Sequence, residues 1–336
     1  MQSLLVLLNL ILLSAQPCYA DQQYHIEVLQ VANIPLFDRT YDGFVEELAG
    51  QGLVEGQNLS INRHIIDADA EASLWEKVGI LFKIRKTASA IVDARPDLVL
   101  TISTPATKYS KNKFIKAGIP VVFSAVANPV VVGCLSLETP GEGFTGATLY
   151  TDPLTQLTLT KIAVPTIKVM GIVHSDDDNA IAFVEEAQGK APQVGISIIA
   201  KQVKKSDPFL PAATELLETG IDSLGLPLDS YYGLRNDEAG RALSKFAREN
   251  KLPLFGFINH PIAGGVLYIG PDFKHIGELS GQQAVMILKQ GKRPEELPVL
   301  RQKELDVYYD PEALERLGIV FPESLSKVAK PAEIID

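Results

Sequence analysis

The chain has 336 residues, 46% of them hydrophobic and 21% charged, with a formal net charge of −10. That length suits two domains with separate cores, and the composition is globular rather than disordered. The acidic balance argues against a nucleic-acid partner, which needs clustered Lys and Arg to displace counterions.

The first twenty residues carry no charged side chain, and Leu4 to Leu13 is a short apolar run. Cys18-Tyr19-Ala20 supplies small residues at −3 and −1, so residues 1–20 are expected to be a secretory signal cut before Asp21. The run is short of the ~20 apolar residues of a membrane span, and no later segment is long enough either. Acylation at Cys18 is the alternative, disfavoured by Pro17. The mature protein is therefore expected in the periplasm or outside the cell. Cleavage leaves Cys134 alone, without a partner for an internal disulfide. It stands in the apolar run Val130 to Leu135, where a buried hydrophobic role is expected.

His25 to Val31 reads as a strand ending at Asn33-Ile34-Pro35, followed by a helix from Asp38 to Ala49 that Gly50 and Gly52 stop. Leu59 to Ile65 alternates as a strand, and Glu71 to Ala94 is a long amphipathic stretch. Leu98 to Ile102 is an unbroken apolar run of the kind buried on both faces of a parallel sheet. A helix over Thr104 to Ala117 and a strand over Val121 to Phe123 follow. The Gly- and Thr-rich stretch Gly141 to Thr151 reads as a joint, after which the pattern repeats. Phe44-Val45-Glu46-Glu47 returns about 139 residues later as Phe183-Val184-Glu185-Glu186, and Ile119 to Phe123 with Asn128-Pro129 is echoed by Leu252 to Phe255 with Asn259-His260-Pro261. Helices are also expected over Glu238 to Asn250 and Ile276 to Lys289, the last one returning to the first copy.

This alternation predicts an α/β protein: two doubly wound parallel-sheet lobes joined by a multi-strand hinge. The expected organisation is a first lobe over 21–145, a second over 146–270, a return to the first over 271–300, and a crossing segment over 301–336.

Ligands of open parallel sheets bind beyond the carboxyl ends of the strands. Those ends carry Phe37 and Asp38, then Ser103, Thr104, Pro105 and Ala106, then Ser124, Ala125 and Asn128 on the first copy, and His174, Asn179, Asp229 and Phe257 on the second. A hydroxyl and free N–H groups at the Thr104 helix start suit a carboxylate, although Ser103 and Thr104 serve equally as plain caps. Asp176-Asp177-Asp178 lacks the spaced ligands and turn Gly of a calcium loop and reads as an N-terminal cap. Asp229 could meet a ligand ammonium or be an ordinary exposed carboxylate, and Tyr231 and Tyr232 could flank a ring or only pack. No phosphate loop, His-Glu-x-x-His or Gly-x-Ser-x-Gly motif occurs, and the five histidines lack metal-ligand spacing. No catalytic residue, cofactor or metal is expected.

Several short motifs carry a resemblance over the whole mature chain. They are Leu36-Phe37-Asp38 before Gly43-Phe44, Gly56-Gln57-Asn58-Leu59, Pro96-Asp97-Leu98-Val99 leading to Thr104-Pro105-Ala106, Asn128-Pro129, Thr145-Gly146, Asp222 with Asp229, Gly264-Gly265, Gly277 ahead of Gly291, and the tail from Tyr309-Asp310-Pro311 to Pro322. In order and spacing they resemble the substrate-binding family of ABC transporters with a type I periplasmic binding protein fold, in the branch that includes tryptophan- and tyrosine-binding proteins. The resemblance implies that Thr104 to Ala106 and Ser124-Ala125 hold a ligand carboxylate, that Asp229 takes an α-ammonium, and that Asp38 and Asn179 line the cleft. The chain departs from the family at Asn128, where Asp is common, and at His174-Ser175-Asp176-Asp177, which replaces a Tyr-Asn-Pro-Gly-like loop.

The function expected is capture of a small molecule, an amino acid or related carboxylate, by a monomer that closes on it and docks on an ABC permease. Reporting the ligand to a membrane sensor kinase is the alternative. An exported hydrolase using Asp38 and Asp229 as acid and base is a third.

Overall fold

The computed structural model describes residues 23–67, 74–233 and 237–334. The expected signal segment with Cys18, and the start of the helix expected from Glu71, lie outside these residues.

The first half of the chain forms β1 (Tyr24–Val31), α1 (Pro35–Gly50), β2 (Leu59–Ile66), α2 (Leu74–Ala94), β3 (Leu98–Ile102), α3 (Thr104–Lys116), β4 (Val121–Val126) and β5 (Phe144–Thr148). Next come α4 (Pro153–Ala163), β6 (Val169–His174), α5 (Asp178–Lys190), β7 (Ser197–Gln202), α6 (Leu210–Glu218), β8 (Ser223–Leu226), α7 (Ser230–Gly233), α8 (Glu238–Glu249), β9 (Leu254–Gly256) and β10 (Leu267–Gly270). The chain ends with α9 (Phe273–Gln290), β11 (Leu300–Arg301), β12 (Asp306–Tyr309), α10 (Pro311–Leu317), α11 (Glu323–Ser326) and β13 (Lys330–Pro331).

The strands build two sheets, one of six in the order β11-β5-β4-β3-β1-β2 and one of seven in the order β13-β12-β10-β9-β8-β6-β7. Pairing is parallel except where β12 runs against β10. Both are doubly wound sheets, which confirms the expected fold class. β3 and β4 are buried along their whole length, as their unbroken apolar runs require when helices cover both faces. The chain passes between the sheets after Thr148, after Gly270 and after Arg301.

The structure adds detail to two local expectations. The Gly- and Thr-rich joint contains β5, an interior strand of the first sheet whose Thr145 and Thr148 hydroxyls donate to the carbonyls of Leu297 and Val126 at 2.8 and 2.7 Å. Hydroxyls satisfied in this way allow Thr in a buried strand. Helix α1 begins at Pro35, not Asp38, because a proline suits the first helical turn, where its missing N–H has no partner to lose.

The return helix α9 seats directly on α1. A Cβ added at Gly277 would lie 2.0 Å from the Thr40 carbonyl oxygen, and one at Gly43 would lie 2.0 Å from that of Lys274. These glycines let the two backbones approach closer than any side chain allows. Gly277→Ala is expected to cost about 3 kcal/mol in urea unfolding, at the upper end for overpacking. Gly50→Ala, where a Cβ would meet nothing within 4 Å, is the neutral control.

Candidate ligand-binding site

Between the carboxyl ends of the two sets of strands lies a cleft of about 330 Å³. This is roughly twice the ~150 Å³ apolar cavity that holds one benzene, and within the size range of small-molecule pockets. The first wall comes from Ile34, Phe37, Ser103, Thr104, Pro105 and Ala125, and the second from Asp177, Asn179, Asp229, Tyr232 and Ile258. Phe273, at the start of α9, lines the same space and sits 6.5 Å from Phe37 between ring centroids.

The first wall is made by sharp chain reversals at three neighbouring strand ends. Ala32, Ser103 and Ala125 have φ of 79°, 98° and 53°, values an L-residue reaches only at a cost of about 1–2 kcal/mol each. Such strain persists where surrounding structure enforces it, and all three residues line the cleft. Ser103 caps α3 by accepting from the Ala106 N–H at 3.3 Å, and the Thr104 hydroxyl accepts from the Ala127 N–H at 3.3 Å. The N-terminus of α3, with its partial positive charge, therefore opens on the cleft.

Asp229 dominates the second wall. It is 5% exposed and accepts from the Ser175 N–H at 2.7 Å, the Ser175 hydroxyl at 2.8 Å and the Tyr231 N–H at 2.9 Å. Burial, and next the charge of Asp177, push its pKa above the ordinary carboxylate value. Hydrogen bonds from Ser175 and Tyr231 and the charge of Lys205 offset part of that rise. Burial alone would raise Asp177 as well. The Lys205 ammonium 2.7 Å away, with bonds from the Asn179 N–H and the Ser230 hydroxyl, holds it below the ordinary value instead. The Tyr232 hydroxyl donates to the Val173 carbonyl at 2.7 Å, and burial raises its pKa far enough to keep the proton there. At the mouth, Lys108 of α3 pairs with Asp178 of α5 at 3.0 Å, so the walls touch through an ion pair. In the Asp176-Asp177-Asp178 run, Asp177 caps α5 and pairs with Lys205, Asp178 pairs with Lys108, and Asp176 accepts from the Lys205 backbone N–H at 3.3 Å.

Of the residues expected here, Phe37, Ser103, Thr104, Pro105, Ala125, Asn179 and Asp229 line the cleft. Asn128 and Phe257, again with Asn179, line a recess of about 40 Å³ beside it. Four others lie elsewhere. Asp38 is half exposed and bonded to Arg63 at 2.6 Å, because Arg63 of β2 also bonds Gln30 and draws the carboxylate to the outer side of α1. Asp38 and Asp229 therefore do not form a pair across the cleft. Ala106 is fully buried beneath the helix start, and Ser124 accepts from the Ser280 hydroxyl at 2.7 Å in the α9 interface. His174 is buried with Nδ1 2.9 Å from the Ser175 carbonyl oxygen. The sequence reading did not pick out Lys205, Phe273, Ile258 or His260. Phe273 and Ile258 follow strand ends and could have been found by that rule, whereas Lys205 sits in a loop with no periodicity.

The family model for ABC transporter substrate binding proteins matches residues 25–333. The chain belongs to that family. It is 26% identical over 303 residues to the tyrosine-binding protein of Clostridioides difficile (strain R20291), covering 89% of this chain and 82% of that one. Among solved structures, an ABC domain in complex with L-Trp from Streptococcus pneumonia is similar with a TM-score of 0.76 at 23% identity, covering 94% of this chain and 100% of that one. A conserved domain protein from Vibrio cholerae gives a TM-score of 0.75 at 24% identity, covering 92% and 99%. These likenesses show the type I periplasmic binding protein fold. Family members are binding proteins, and no helix among the described residues is long and apolar enough to cross a membrane.

Ser175→Ala removes one hydroxyl bond to a buried carboxylate. It is expected to cost about 1.5–3 kcal/mol at neutral pH in urea unfolding. That cost should shrink in an Asp229→Ala background, where the hydroxyl still accepts from the Asp177 N–H at 3.2 Å but no longer serves a buried carboxylate.

Proposed function

We propose that this protein captures an amino acid with an apolar side chain between its two walls and delivers it to an ABC permease. The observation that carries this reading is the placement of a buried carboxylate, Asp229, on one wall and the N-terminus of α3 on the other. A zwitterion spans the two: its ammonium meets Asp229, its carboxylate meets the α3 terminus, and its side chain lies against Phe37, Phe273 and Ile258. The ligands of two similar proteins, tyrosine for the Clostridioides difficile protein and L-Trp in the streptococcal complex, are of this class.

Ligand binding stabilises a closed arrangement because it contacts both walls at once, and the chain crossings between sheets serve as the hinge. Export follows from the uncharged, apolar amino-terminal segment, which places the mature protein beyond the inner membrane. Binding without turnover is the role, with Asp229 as an electrostatic anchor and not a base.

Calorimetric titration of the mature chain with L-tryptophan, L-tyrosine, L-phenylalanine and L-leucine tests this, alongside indole-3-propionate, which lacks the ammonium. At least one amino acid should bind well above its deaminated analogue. Asp229→Asn should weaken that amino acid by roughly 10- to 150-fold, the worth of a charged hydrogen bond. Equal binding of analogue and amino acid, or an unaffected Asp229→Asn protein, would contradict the reading.

The pH dependence has a defined sign. Ammonium capture needs Asp229 ionised, and its pKa is raised by burial and by Asp177. Affinity should therefore be lost as pH falls through a value above the ordinary aspartate figure of about 3.9, and the loss should be absent in Asp229→Asn.

A further inference from the structure

The Asp229 wall contains a second carboxylate and a lysine that the amino-acid reading does not use. The Lys205 ammonium bonds Asp177 at 2.7 Å and the Ser230 hydroxyl at 2.8 Å, and that hydroxyl in turn donates to Asp177 at 3.0 Å. Lys205 itself lines the cleft. Among the described residues, the donors on Asp229 are by contrast neutral: two N–H groups and one hydroxyl. Asp177 and Asp229 are thus two largely buried carboxylates among the four aspartates on this wall, and among the described residues Lys205 is bonded to the first of them.

We propose that Lys205 sets the charge of the binding wall: by occupying Asp177 it leaves Asp229 as the carboxylate of this buried pair that is open to a ligand, which selects molecules bearing a single cationic amine. The proposal rests on the amine-binding reading above and names the residue that makes it possible. Like charges in a dry pocket cannot both persist without a counter-ion. Without Lys205, Asp177 and Asp229 share a proton, and Asp229 loses the charge that holds the ammonium. Without Asp177, Lys205 is released beside Asp229 and competes with the ligand for it.

The groups facing Asp229 fix what else could titrate. Asp176 and Asp177 approach from the β6–α5 junction, Lys205 from the loop after β7, and Tyr231 and Tyr232 from α7. His174 is turned to the Ser175 carbonyl, and His260 pairs with Asp237 at 2.9 Å. Across the gap, Lys108 is held by Asp178. Among the described residues, the ammonium bonded to Asp177 and acting on Asp229 is that of Lys205. Its raised pKa, where burial is outweighed first by Asp177 and then by the charges of Asp229 and Asp176, fits this role.

The test is calorimetric titration of wild type, Lys205→Met, Lys205→Arg, Asp177→Asn and the Lys205→Met/Asp177→Asn double variant with L-tryptophan and with indole-3-propionate, between about pH 5.5 and 8.5. Lys205→Met should bind L-tryptophan at least tenfold more weakly near pH 6.5, with the deficit closing as pH rises. Lys205→Arg should follow wild type. Asp177→Asn should be at least tenfold weaker at every pH, and the double variant should recover to within about threefold of wild type, because its wall again holds one open carboxylate. A Lys205→Met protein with a wild-type pH profile, or a double variant no better than Asp177→Asn, would overturn the proposal. If Lys205→Met does not fold, the comparison of double variant with Asp177→Asn still decides. Failure of the amine-binding reading looks different: wild type itself would then not prefer L-tryptophan over indole-3-propionate.

Discussion

The close seat of α9 on α1 is the constraint on which the rest of the molecule depends. After β10 has completed the core of the second sheet, the chain must cross back and bury a long helix against the first. Glycines at 43 and 277 admit backbone contact there, and the Arg39–Asp272 ion pair at 2.6 Å fixes where the helix begins. That start point places Phe273 beside Phe37, in the floor of the cleft. A feature remote from any ligand thereby shapes the surface that a ligand would touch. It also ties the two sheets together with more than a single linker, so that motion between them is a rotation and not free drift.

The apolar contacts of the molecule run on from one sheet to the other through Ile34, Phe37, Phe273, Ile258 and Tyr232. They do not fill the gap, since the cleft keeps about 330 Å³ between them. This combination of an apolar floor with a buried carboxylate on one side and the partial positive charge of a helix start on the other suits a ligand that is polar at one end. Burial does most of the electrostatic work. Asp229 is held by three short bonds from its own wall, so its position is set before a ligand arrives, and its charge costs the protein stability that an ammonium can return.

The architecture was legible because buried parallel strands leave a blunt signal. Leu98 to Ile102 and Val121 to Phe123 are apolar or nearly so on both faces, and the helix between them carries a cap that chemistry makes recognisable, Ser103 before Pro105. β5 was hidden since its threonines satisfy their hydroxyls on neighbouring carbonyls, a tertiary fact with no local mark. The strand-end rule points to Ser103, Thr104, Ala125 and Asp229, and these line the cleft. It gives no sign that a partner on β2 draws Asp38 away, or that the Ser124 hydroxyl meets α9 from a distant part of the chain. Lys205 escaped altogether. Its importance lies in which carboxylate it meets, and a loop sequence does not say that.

The central claim is that two rigid walls close around one small molecule. Distance measurement by electron spin labels at Lys116 and Glu185, exposed helix positions belonging to the two sheets, addresses it directly in a Cys134→Ser background. On saturation with the amino acid that binds, the account predicts a shift of the label distances to a single narrower distribution, reversed when the ligand is removed. Saturated protein whose distances match those of the ligand-free form would contradict it.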